Sequence, residues 1–131
     1  MESAERSCVF FRGPGAGLDE AEAALRDGGL GVARSGDALR VARPGGPELT
    51  IRIVRGEGAR RDAARLGRGE PVEALLRQCD AAFVITFRDL DEVLEDTDVL
   101  TDVQLRLQKL TAGVIARSWN DELSGPDGAA G

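Results

Sequence analysis

The chain has 131 residues, 17 Lys+Arg against 23 Asp+Glu, a formal net charge of −6 and no His. One domain with one core fits that length. The absence of imidazole excludes a Ser-His-Asp triad, a Cys-His dyad and any His-ligated metal, and two Cys cannot build a four-thiolate zinc site.

No apolar run approaches the roughly 20 residues of a membrane helix, so no membrane partner is expected. Every basic residue but Lys109 is Arg, a bias that GC-rich codons produce and that is not by itself a phosphate-binding signal. The acidic balance argues against nucleic acid, which needs a basic footprint. Met1–Ser7 is polar and lacks the apolar core of a secretory signal. With two thiols, this points to a cytoplasmic protein.

Residues 1–7 read as a flexible N-terminus, 8–123 as one domain, and Ser124–Gly131 (SGPDGAAG) as a disordered tail. Cys8–Arg12 reads as a first strand, aromatic and β-branched. After a glycine turn, Leu18, Ala21 and Leu25 mark one face of a helix. Asp19 and Glu20 sit in its first turn, where the helix dipole favours them, and Gly28-Gly29 ends it.

Three short strands are predicted next, over Leu30–Arg34, Ala38–Arg43 and Leu49–Arg55. Leu39 and Val41, then Leu49, Ile51 and Ile53, alternate with Arg40, Thr50 and Arg52, so one face is dry and the other wet. Two short helical stretches follow, the first with Ala59, Ala63 and Leu66 on one side, the second with Val72, Leu75, Leu76 and Cys79. Ala81–Phe87 (AAFVITF) is apolar throughout, the mark of a central strand buried on both faces.

A helical turn or two over Asp89–Glu95 leads to the longest helix, about Thr97–Ala112, striped by Val99, Leu100, Val103, Leu107 and Leu110. Val114–Trp119 reads as the last strand. The order β-α-β-β-β-α-α-β-α-β defines an α+β fold: a single mixed, mostly antiparallel sheet of five to six strands, with helices mainly on one face.

Four constellations carry chemical interest. Gly13-Pro14-Gly15-Ala16-Gly17 lies between strand and helix, where phosphate loops occur. It lacks a following Lys, and Asp19 and Glu20 would repel a phosphate. Cys8 and Cys79 read as small hydrophobes.

Seven carboxylates (Asp89, Asp91, Glu92, Glu95, Asp96, Asp98 and Asp102) fall within 14 residues without a base between them. The spacing is not that of a calcium loop. Part of the run serves the N-terminus of the long helix, and the rest reads either as a solvated face or as a docking face for a basic protein, to which Leu105, off the apolar stripe, and Trp119 could contribute. Residues 52–68 carry Arg52, Arg55, Arg60, Arg61, Arg65 and Arg68, a cationic counterpart that could pair within the fold or across a homodimer.

These features define the expectations. The first is a non-enzymatic protein-binding domain without cofactor or metal, its partner surface formed by Asp89, Asp91, Glu92, Glu95, Asp98, Asp102, Leu105 and Trp119. In size, charge and architecture it is similar to the small acidic α+β proteins, immunity proteins and adaptors among them, that bacteria use to bind another protein. The alternative is a binder of a small anionic ligand, or an enzyme of carboxylate, Arg or thiol chemistry, on an open sheet face floored by Arg40 and Arg52.

Overall fold

In a computed structural model the described residues are 6–12, 16–43, 45–87, 91, 93, 97–117 and 123–124. Seven strands form one sheet: β1 (Arg6–Phe11), β2 (Gly31–Ser35), β3 (Ala38–Ala42), β4 (Leu49–Arg55), β5 (Ala81–Phe87), β6 (Val114–Arg117) and the two-residue β7 (Leu123–Ser124). Helices α1 (Leu18–Asp27), α2 (Glu57–Gly67), α3 (Glu73–Leu76) and α4 (Thr97–Thr111) complete the α+β fold. The strand order is β2-β3-β4-β5-β1-β6-β7, and every pair is antiparallel.

The period-2 pattern sets which side chains share a face. Val9, Phe11, Leu39, Val41, Leu49, Ile51, Phe83, Ile85 and Ile115 point to the first face, where Leu18, Ala21 and Leu25 of α1 and Val99, Leu100, Val103 and Leu107 of α4 pack on them. Phe11 and Phe83 stack there with ring centroids 4.8 Å apart. Phe10, Ala82, Val114 and Ala116 point to the second face and form a smaller core with Ala63, Val72, Leu76 and Cys79. The pair α2–α3 therefore covers part of the face opposite α1 and α4, which is why AAFVITF is apolar on both sides.

Helix ends follow local chemistry. Gly17 has no side chain to cap α1, and the Glu20 carboxylate accepts its N–H at 2.8 Å. At the other end Leu30 N–H reaches back to Leu25 O at 3.3 Å across Gly29, whose φ is +85°. Gly113 follows α4 so tightly that a Cβ there would run into the Phe10 carbonyl.

Several boundaries differ from the pattern. β1 begins at Arg6 rather than Cys8, because Ser7 is fully buried and its hydroxyl donates to Ala116 O at 3.2 Å. Ser124, assigned above to the tail, pairs with Ile115. Leu110 lies at the rim of α4 and is 37 % exposed.

Candidate functional site: a cleft under the second helix

The second face is only partly covered. Its strand positions form rows across the sheet: Arg40–Thr50–Thr86–Arg6, then Ala38–Arg52–Val84–Cys8–Ala116–Leu123, then Val54–Ala82–Phe10–Val114. Above them α2 turns its small residues inward, with Ala59, Ala63 and Gly67 buried. The sheet beneath also has short side chains: Cys8, Ala82 and Ala116.

Ala63 packs on the sheet in the smaller core, and beside that contact, between Ala59, Asp62, Arg65 and Leu66 of α2 and the strands, lies a half-open cleft of about 570 Å³. Its floor is Cys8, Phe10, Val84, Ala82 and Ala116, with Leu123 from β7 at one side. Val54 and Leu66, both large, apolar and partly exposed (42 % and 39 %), flank it. Arg6, Asp62, Arg65 and Glu70 also line it, and Arg65 and Asp62 face each other at 3.5 Å.

The cleft environment sets the state of its thiol. Burial pushes Cys8 up from 9.0 to about 11, opposed by the Arg6 charge and reinforced by Asp62. Cys79, elsewhere in the smaller core, is raised to about 11, first by burial and then by Asp80, against Arg12; its Sγ contacts Leu75 O at 3.5 Å. Both cysteines are free. At neutral pH the cleft thiol is protonated and a poor nucleophile.

Of the two arginines expected on an open sheet face, Arg52 is the cross-strand neighbour of Val84 on the cleft floor, and Arg40 lies one row and one strand farther out. Both are exposed on the second face; neither is part of the cleft lining. The described strands contain six arginines (Arg6, Arg34, Arg40, Arg52, Arg55 and Arg117) and no carboxylate. The described acidic residues belong to helices, turns and connecting segments.

The expected partner surface is only partly described. Asp89, Glu92, Glu95 and Trp119 lie outside the described residues. Asp91 and Asp98 are exposed. Asp102 is engaged within the fold: Arg43 Nη2 donates to one carboxylate oxygen at 2.6 Å and Arg106 Nε to the other at 3.0 Å. Its side chain is 22 % exposed. Leu105 is 53 % exposed, and helical spacing stacks it on the outward stripe of Asp98 and Thr101.

Three of the arginines of residues 52–68 have partners close by. Arg60 approaches Glu57 and Asp80, Arg65 approaches Asp62, and Arg55 Nη2 donates to Ala16 O at 2.6 Å. The glycine loop is described only at Ala16 and Gly17. Among the described residues no group of three or more Cys, Asp or Glu is placed to hold a metal ion. No described helix is long and apolar enough to cross a membrane.

Nothing in the sequence motifs marks the cleft, because its walls come from residues 6–10, 54–70, 82–84, 116 and 123. One signal was legible: Val54 is apolar at a position where the alternation Thr50, Arg52 calls for a polar side chain. Comparison with family profiles, curated proteins and solved structures finds no match.

Proposed function

We propose that this chain is a non-catalytic binding module whose site is the cleft between α2 and the second sheet face, and that its ligand is a small molecule with an apolar body. The observation that carries this is the 570 Å³ space itself. Interiors are close-packed, and a concavity of this size lies within the range of small-molecule sites, roughly 300–1,000 Å³. Its apolar floor and its few convergent polar groups match that class. The protonated Cys8 favours recognition over bond-making. With free thiols, we place this binding in a reducing compartment such as the cytoplasm.

Titration with Nile red, a neutral apolar fluorophore, tests the reading. One saturable site is expected, lost in Val54→Trp, which fills the flank of the cleft from an exposed strand position. Absence of saturable binding, or binding unaffected by Val54→Trp in a folded variant, removes it.

A second reading, docking of a basic protein as an immunity-type or adaptor protein would do, is favoured by one observation: exposed Leu105 lies in line with Asp98 and Thr101 on the outer side of α4. An apolar anchor with a carboxylate two turns away on the same stripe suits a charge-steered partner. Partner recovery at low and high salt should fall with Leu105→Arg and Asp98→Lys; unchanged recovery removes this reading.

A further inference from the structure

If the cleft is a ligand site, the charge pattern of the sheet specifies the ligand further. We infer that the cleft takes an amphipathic monoanion, an apolar chain or ring system ending in a carboxylate or similar group, with the charged end held on the sheet side between Arg6 and Arg52. This rests on the cleft reading above and adds the head group and its location.

The argument starts from register. Arg6 and Arg52 occupy neighbouring rows on the same face, separated by β5, with Val84 beside Arg52 and Thr86 beside Arg6. Two strand spacings of roughly 4.8 Å and a two-residue offset along the strands put their backbones about 12 Å apart, a gap that two long guanidinium side chains converging on one anion can close. Arg40 lies in Arg6's row, one strand beyond the strand of Arg52. Every charged residue at a described strand position of this face is an arginine.

The carboxylates among the described cleft-lining residues, Asp62 and Glu70, are on the helix side. Asp62 is shared with Arg65 at 3.5 Å, and Glu70 lies past the end of α2. An anion entering over Val84 therefore meets guanidinium first, while its apolar body covers Cys8, Phe10 and Ala116. Arginine forks suit carboxylate and phosphate oxygens, so the shared chemistry is an oxyanion on an apolar body.

Calorimetric titration of the full chain with decanoate, decanol and decyltrimethylammonium, each below its micelle concentration, tests the inference. Decanoate is expected to bind about tenfold more tightly than decanol and to weaken with salt. Arg52→Glu should abolish that advantage and leave decanol affinity unchanged. Decanoate should also slow disulfide-exchange labelling of Cys8 in a Cys79→Ser background. Equal binding of decanoate and decanol overturns the head-group assignment and leaves the cleft reading standing. Preference for decyltrimethylammonium overturns it in favour of Asp62 and Glu70 as head-group partners. Failure of all three probes and of Nile red overturns both.

Discussion

The fully buried pair Ser7 and Gln104 offers the sharpest test of how α4 is held on the sheet. Gln104 Nε2 donates to Ser7 Oγ at 2.7 Å, and Ser7 Oγ donates to Ala116 O at 3.2 Å. Three elements, α4, β1 and β6, meet through one hydroxyl, with Ser7 0 % and Gln104 1 % exposed. Ser7→Ala removes the hydroxyl and leaves a buried amide N–H without that acceptor. Losing a buried bond and stranding its partner costs about 2 kcal/mol.

For a chain of this length that corresponds to roughly 8 °C in Tm. Gln104→Leu alone should cost about 1 kcal/mol, because Ser7 keeps its bond to Ala116. The double variant should cost less than the sum, with a coupling of about 1 kcal/mol, since an apolar pair leaves no amide stranded. Urea denaturation followed by circular dichroism measures all three, with unchanged slope as the control. A Ser7→Ala cost below about 0.5 kcal/mol, or additive single costs, would refute the claim that this hydroxyl couples the three elements.

Other outcomes follow from the same structure. Phe83→Ala removes a fully buried ring stacked on Phe11 and should cost about 3–5 kcal/mol in denaturant unfolding. Gly113→Ala forces a Cβ onto the Phe10 carbonyl and should cost about 1–3 kcal/mol, read as a lower Tm. Arg43→Ala breaks a partly exposed bridge to Asp102 and should cost no more than about 1 kcal/mol.

The thiols define an alkaline limb. Cys8 and Cys79 are raised from 9.0 to about 11, so the native state keeps protons that the unfolded state releases. Their contribution to stability is full below about pH 9 and is lost as pH rises toward 11. The chain has no Tyr and a single Lys, so Cys8→Ala/Cys79→Ala should visibly flatten stability between pH 9 and 11.

Much of the architecture was legible because it is written in local periodicity. The alternation in 39–41 and 49–53, the fully apolar 81–87 and the stripe on α4 each report which side of an element is dry. Ser7 was misjudged as part of a flexible N-terminus, and the burial of Gln104 and Gln108 had no sequence signal, because polar side chains read as wet unless their partners are known. Those partners, Ala116 O, Ser7 Oγ and Gly113 O, lie mostly far along the chain. The cleft escaped notice for a related reason: it lies between the Ala59, Asp62 and Leu66 side of α2 and the strands beneath, and no window of sequence contains both the helix and that floor. Arg52 was legible as an outward strand residue, but its position beside the cleft depends on strand order. That order places β1 between β5 and β6, which periodicity does not encode.

This insertion bears on how the molecule assembles. Strands β2 to β4 are adjacent in space in the order in which they are synthesised and join through short turns, and β5 adds to them after the α2–α3 segment. β1, made before them, must wait for Arg6 to find Thr86 and for Ser7 to find Arg117. Those are the longest closures in the sheet, and long closures slow folding. Until they form, β1 and one border of β5 remain unpaired, exposing a strand rich in phenylalanine to neighbouring chains. Yield from refolding should therefore depend more steeply on protein concentration than native stability alone would suggest.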